Sequence, residues 1–317
     1  MPKTISTVII AAAVFVIVNL VAIAYIAYRR TFYNNPKKHP IDPYRVLKKE
    51  NTRFKKEYLD RIIEEPYENI YIKSHDNLSL RAKLYMRYPD APFVIECHGY
   101  HSSSMIDFCG GGPLAIKLGF NVIMIDQRAH GESEGKTISF GYNESADVIG
   151  WVNYVRERYG KEREVMLFGI SMGAATVILA SCRDELPDNV VCAIADCPFA
   201  SARKIVTKVM KDLNISSRII YPFARLGALL FGGFDPDKAD AEAAVKNLKI
   251  PLIIIHGEAD DFVPCDMSRD IQKAANSKIK LYTVPGAAHG VSYLADMEGY
   301  ERIVTDFCKK HVSGFGS

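Results

Sequence analysis

The sequence predicts an α/β fold, a mostly parallel eight-stranded sheet with helices on both faces, carried behind one N-terminal transmembrane helix. Three observations predict it. From about residue 67 onward, strand-length apolar runs alternate with helix-length amphipathic segments. Several of the runs are apolar throughout instead of alternating, the pattern of strands buried on both faces. At the N-terminus, no charged residue occurs between Lys3 and Arg29, a stretch long enough to cross a bilayer.

The first element is that helix. Val8 to Tyr28 contains one clearly polar side chain, Asn19, and at a rise of about 1.5 Å per residue it spans the roughly 30 Å of hydrocarbon. Ala22-Ile23-Ala24 resembles a signal cleavage site. The apolar run is nevertheless too long for a signal peptide, and it continues through Tyr25 to Tyr28 before turning basic, so an uncleaved anchor over residues 1–30 is expected. Lys3 precedes the span, whereas Arg29, Arg30, Lys37, Lys38, Arg45, Lys48 and Lys49 follow it. That bias places the rest of the chain in the cytoplasm, on a single-pass protein of the cell membrane. Residues 31–66 are polar, charged and proline-punctuated and read as a tether with a short helix around Tyr44 to Ile63.

The remaining domain, residues 67–317, opens with an antiparallel pair, Asn69 to Ser74 and Leu78 to Tyr88. Buried strands follow at Phe93 to Cys97, Asn121 to Ile125, Glu164 to Gly169, Val190 to Ala195, Pro251 to His256 and Ile279 to Val284. Helical periods fall between them, at Ser145 to Tyr159, Met172 to Asp184, Met267 to Asn276 and Tyr300 to His311. A sheet of this kind binds ligands at the carboxyl ends of its strands.

Charge and cysteine usage exclude several classes. Residues 1 to 49 hold eight Lys/Arg and one Asp, leaving 32 basic and 36 acidic residues in the rest. The domain is mildly acidic and has no footprint for a phosphate backbone, so no nucleic-acid partner is expected. The seven cysteines (97, 109, 182, 192, 197, 265, 308) are odd in number and lack C-x-x-C spacing, which points to free thiols in a reducing compartment. His98-x-x-His101 has no third ligand of suitable type beside it, so no metal is expected.

The chemistry lies in Gly169-Ile170-Ser171-Met172-Gly173, placed between a strand and a helix that opens with Ala174-Ala175. A G-x-S-x-G in that setting is a nucleophile elbow, a sharp turn whose glycines avoid collisions a Cβ would cause. A serine needs a base and an orienting acid, in the chain order Ser, Asp, His. His289 lies in the loop after the last strand. Asp260 and Asp261 both follow the strand ending at His256, and composition does not choose between them. For the oxyanion, the Met172 N–H heads the helix after the elbow, and the loop His98-Gly99-Tyr100 offers the Tyr100 N–H as a second donor. His98 itself reads as a structural loop residue.

These motifs resemble those of the α/β-hydrolase family, and within it the membrane-anchored BEM46/ABHD13-like serine hydrolases and the related monoacylglycerol-lipase and S33-peptidase branches. The resemblance covers roughly Tyr67 to Val312. Besides the elbow it rests on Asp126-Gln127-Arg128-Ala129-His130-Gly131-Glu132-Ser133 and on His256-Gly257-x-x-Asp260-x-x-Val263-Pro264, which assigns the acid to Asp260. Ala129 stands where the family pattern has glycine, and Arg128 and His130 read as structural. Serine at 171 excludes the relatives that need an aspartate nucleophile. No phosphate loop, nicotinamide fingerprint or metal set is found, so no cofactor is expected.

In this family a cap occupies the insertion between the strands ending near Asp196 and starting at Pro251, here about residues 199–248. Ser201 to Leu213 places Ile205, Val209, Met210 and Leu213 on one helical face, with Arg203, Lys204, Lys208 and Lys211 largely elsewhere. Ile219, Phe223, Leu226 and Leu230 are the expected substrate-binding residues of its second half, under a basic outer face suited to an anionic membrane. The expected activity is hydrolysis of an ester or thioester through an acyl-enzyme, on a small-molecule or lipid acyl substrate. A serine peptidase and a non-catalytic anchored scaffold are the alternatives. An intact Ser, Asp, His set disfavours the scaffold.

Overall fold

A computed structural model describes residues 3–38, 40, 53–275, 279–313 and 315. Helix α1 (Lys3–Thr31) and helix α2 (Arg53–Glu64) precede the sheet. The Tyr44 to Thr52 part of the expected tether helix and Asn276 lie outside the described residues.

The eight strands are β1 (Glu68–Lys73), β2 (Ser79–Tyr85), β3 (Phe93–Cys97), β4 (Asn121–Ile125), β5 (Val165–Ile170), β6 (Val190–Asp196), β7 (Leu252–Gly257) and β8 (Ile279–Val284). Their spatial order is β1-β2-β4-β3-β5-β6-β7-β8. β1 pairs antiparallel with β2 and β2 with β4; all other pairs are parallel. The continuous apolar runs have their expected cause: β3, β4, β5 and β7 are buried at every position because helices cover both faces. β2 ends at Tyr85, three residues before the expected Tyr88. There Asn121 Oδ1 accepts from the Arg87 and Tyr88 N–H groups (2.8 and 3.0 Å), drawing the chain out of the ladder.

Helices α3 (Gly111–Lys117), α4 (Tyr142–Tyr159), α5 (Met172–Ser181), α6 (Ala202–Asp212), α7 (Ser217–Gly227), α8 (Asp266–Ala274) and α9 (Met297–His311) complete the body. One core, around Trp151, Phe93 and Val177, lies under α4 and α5; the other, around Leu59, Tyr85, Phe120 and Val304, lies under α2, α3 and α9. α6 and α7 fill the insertion between β6 and β7, and α7 runs into a π-helical turn, Ala228–Gly232.

Helix α1 does not stand wholly clear of the body. Its last two turns pack on α7, with Ala24 and Tyr28 buried four residues apart on one face. The crossing is close because α7 presents Gly227: a Cβ there would overlap the Ala24 carbonyl and sit 2.8 Å from Tyr28 Cβ. The first residues of the segment expected as a tether also lie on the body. Phe32 is fully buried, Ile138 N donates to Phe32 O (2.7 Å), and Asn34 Nδ2 donates to Ala129 O (2.7 Å).

Candidate active site

The ends of β5, β7 and β8 bring three of the sequence candidates together. Ser171, between β5 and α5, has φ 56° and ψ −114°, a conformation that side chains avoid and that the surroundings must hold. Its N–H donates to the Asp196 carbonyl (2.8 Å) and its carbonyl accepts from Ala175 N (3.1 Å). A Cβ on Gly173 would overlap the Cys97 carbonyl at the end of β3, the neighbour-strand collision that the motif implied. At Gly169 the collision is instead with the Gly173 carbonyl of the same turn.

His289 Nε2 lies 2.9 Å from Ser171 Oγ, and His289 Nδ1 lies 2.6 Å from Asp260 Oδ2. Asp260 Oδ1 accepts from the N–H groups of Phe262 (3.0 Å) and Val263 (2.8 Å). His256 Nε2 is shared between the Val263 carbonyl (2.8 Å) and Asp260 Oδ2 (3.2 Å), while its Nδ1 meets Ser268 Oγ at 2.6 Å. Burial pushes the Asp260 carboxyl up, but hydrogen bonds from His256 and His289 outweigh it and hold the group well below the usual carboxylate range. Asp261 is exposed. In such a relay the imidazole takes the serine proton while the ionised carboxylate fixes its tautomer.

The loop after β3 lies against the serine: a Cβ on Gly99 would stand 3.3 Å from Ser171 Cβ. Asp107 holds this loop, its Oδ2 accepting from Gly99 N and its Oδ1 from Ser102 Oγ, both at 2.6 Å. Among the described residues, neither the Tyr100 N–H nor the Met172 N–H donates to another protein group. The Tyr100 hydroxyl donates to the Thr31 carbonyl of α1 at 3.0 Å. His98 is fully buried with both ring nitrogens engaged, Nδ1 with Gly99 O (2.8 Å) and Nε2 with Gln127 N (3.1 Å). Cys197 Sγ lies in one cluster with the His289 and Asp260 ligand atoms, and burial pushes its thiol up.

Ser171 opens onto a cavity of about 570 Å³ lined almost entirely by apolar side chains. Here the expected cap residues need correction. The lining comes from Ile205, Val206, Val209 and Met210 of α6, with Leu213, Ile215 and Ile220, whereas Ile219, Phe223, Leu226 and Leu230 are absent from it. Ile219 and Leu230 are 61% and 55% exposed, so this face of the insertion points outward. The basic outer face is also largely neutralised: Arg203 pairs with Asp237 (3.2 Å), Lys204 with Glu242 and Asp270 (2.6 and 2.7 Å) and Lys208 with Asp212 (2.6 Å).

Two further contributors carried no signal in the sequence. Ile23, Ile26, Ala27, Arg30 and Thr31 of α1 form one wall of the cavity, and Phe262 sets its ring edge-on to His289 at 5.1 Å. Asp107 stands in no motif. His256, by contrast, stood inside the quoted His256-Gly257 run and was readable only as the end of a strand.

A mixed sheet with this strand order, an elbow serine after β5 and an acid and histidine after β7 and β8 define the α/β-hydrolase class. A family profile described as alpha/beta hydrolase fold matches residues 92–236, and the chain has that fold. It is 28% identical over 218 residues to the uncharacterised protein YqkD of Bacillus subtilis, covering 68% of this chain and 70% of that one. It is 30% identical over 156 residues to the thiohydrolase aneE of Aspergillus aculeatus, covering 47% of this chain and 48% of that one, about half of that relative's length. The esterase Pf2001 of Pyrococcus furiosus shares the fold, with a TM-score of 0.64, 24% identity and coverage of 80% of this chain and 94% of that chain.

Proposed function

We propose that the protein is a membrane-anchored serine hydrolase that cleaves carboxylic ester or thioester bonds of acyl-chain substrates. Ser171 is the nucleophile, His289 the general base, Asp260 the orienting acid, and the Tyr100 and Met172 N–H groups the oxyanion donors. The observation that carries this reading is the unbroken relay from Asp260 through His289 to Ser171, opening onto an apolar cavity. The thiohydrolase among the relatives supports acyl transfer as the chemistry.

In this mechanism Ser171 Oγ attacks the acyl carbonyl as His289 Nε2 takes its proton, and the two N–H donors receive the oxyanion. Collapse breaks the bond to the leaving alcohol or thiol, which takes the proton back from His289. Water, deprotonated by His289, then releases the acid and restores Ser171. The elbow makes this possible by holding Oγ clear of its own backbone.

Anchoring rests on α1, which is apolar and almost wholly outside the body from Thr7 to Ile23. The basic residues that follow it favour a cytoplasmic domain. The test is labelling by a fluorophosphonate probe and hydrolysis of p-nitrophenyl esters. Wild type should show both, the adduct should map to Ser171, and folded Ser171→Ala should show neither. Unchanged turnover in that variant would remove the assignment.

A further inference from the structure

Resting on that reading, we infer that the acyl cavity is entered from the bilayer itself, between α1 and the insertion, with α1 serving as a wall of the site. Three observations converge. First, the apolar span runs from Thr7 to Thr31, and about 20 residues fill the hydrocarbon thickness. Counted from Thr7, that length ends at Ile26, and Ile23, Ile26 and Ala27 line the cavity that holds Ser171. The cavity wall therefore begins inside the hydrocarbon edge.

Second, the insertion carries an outward apolar face beside that wall. Leu229 and Phe231 are 47% and 40% exposed in the π-helical turn, and Leu213, Ile215 and Ile219 are likewise exposed. Phe231 packs its ring on Tyr25 of α1 at 5.1 Å, so this face adjoins the spanning helix. Exposed apolar surface joined to a transmembrane helix at the level of the bilayer edge has one fitting occupant, the headgroup and upper acyl region, into which such faces sink about 5–10 Å.

Third, the mouth has the polarity that a monoacyl lipid requires. Arg30 is the one charged residue among the described residues lining the cavity. It stands one turn beyond Ile26, where headgroups replace hydrocarbon. A lipid can thus slide its chain from the bilayer into the cavity and bring its ester to Ser171 without crossing water.

The full-length protein in lipid vesicles tests this. Trp151, the only tryptophan, is fully buried in the core, so a Leu229→Trp variant reports on the insertion face. Brominated phosphatidylcholine should quench its emission in vesicles, and an unquenched signal would overturn the inference. Leu229→Asp should keep wild-type hydrolysis of p-nitrophenyl acetate in detergent while losing most hydrolysis of a monoacyl lipid in vesicles, because a carboxylate resists entry into hydrocarbon. Equal loss on both substrates, or on neither, would overturn it. Ala27→Phe fills the cavity from the α1 side and should lower the dodecanoate-to-acetate ratio of kcat/KM about tenfold or more, since each buried methylene contributes about 0.8 kcal/mol. An unchanged ratio would remove α1 from the site. Should wild type take no fluorophosphonate label and turn over no ester, the hydrolase reading fails, while the quenching result still stands or falls by itself.

Discussion

Tyr100 and Thr31 are joined by a hydrogen bond of 3.0 Å from the tyrosine hydroxyl to the last carbonyl of α1. It ties the loop proposed to receive the oxyanion to the helix proposed to cross the membrane. Tyr100→Phe removes only this tie. A neutral hydrogen bond contributes about 0.5–1.5 kcal/mol, so thermal stability should fall slightly. If the tie also steadies the oxyanion donor, kcat on soluble esters should fall several-fold with KM nearly constant. A change confined to KM would mean that the hydroxyl serves the cavity wall instead.

Asp260 and Asp261 are neighbours with opposite surroundings, one buried against two histidines and the other exposed. Asp260→Asn misorients the imidazole and should cost on the order of 10⁴ in kcat. Asp261→Asn should leave kcat almost untouched. Steady-state kinetics on p-nitrophenyl butyrate decides, and the reverse ranking would refute the assignment.

Asp196 supplies a pH prediction. Burial raises its carboxyl to about 6, against the lowering effect of hydrogen bonds from Tyr300 and Ser292. The folded state therefore holds a proton that the unfolded state releases at about 4, so stability declines as pH rises from about 4 to about 6. The decline is on the order of 3 kcal/mol. Asp196→Asn does not titrate and should lack it. Thermal melts should show the gap between wild type and variant moving against wild type over that window and levelling above it; a pH-independent gap would contradict the assignment.

Gly227 faces the Ala24 carbonyl at the crossing of α7 and α1. Gly227→Val should force the helices apart at a cost of about 1–3 kcal/mol. Trypsin added to the detergent-solubilised protein should then cut faster after Lys37 and Lys38, and unaltered cleavage would show that the contact is loose.

Ala129 takes φ 60°, at a position where the hydrolase pattern this turn resembles has glycine. A left-handed alanine costs about 1–2 kcal/mol, offset in part by glycine's greater unfolded-state entropy. Ala129→Gly should therefore raise thermal stability by up to about 1 kcal/mol, with kcat unchanged.

The central strands were legible because burial on both faces leaves a continuous apolar run, and the elbow because Gly173 has a steric duty against Cys97. His289 was picked out by its place in the loop after the last strand, and Asp260 was separated from Asp261 only by the resemblance of the His256-Gly257-x-x-Asp260-x-x-Val263-Pro264 run. The insertion was not. α6 kept the apolar face its period showed, but α7 is apolar on an inner face toward the cavity and again on an outer face, and periodicity alone does not say which is which. Ile219 points out while its neighbour Ile220 lines the cavity, a difference of about 100° around a helix. Pairing of Lys204 with Asp270, 66 residues away, is likewise a tertiary fact, as is the docking of α1.

The contact between Ala24 and Gly227 also fixes an order of events during synthesis. Gly227 comes 203 residues after Ala24, and at about 5–20 residues per second the ribosome needs roughly 10–40 s to make that length. For that interval α1 waits without α7, and Ala24 and Tyr28 have no protein to cover them. If α1 enters the membrane as proposed, this stripe rests in lipid before it rests on protein and has to satisfy both solvents, so nothing in its composition sets it apart from the apolar residues beside it. One wall of the cavity is thus the first part of the chain to be made and among the last to find its place.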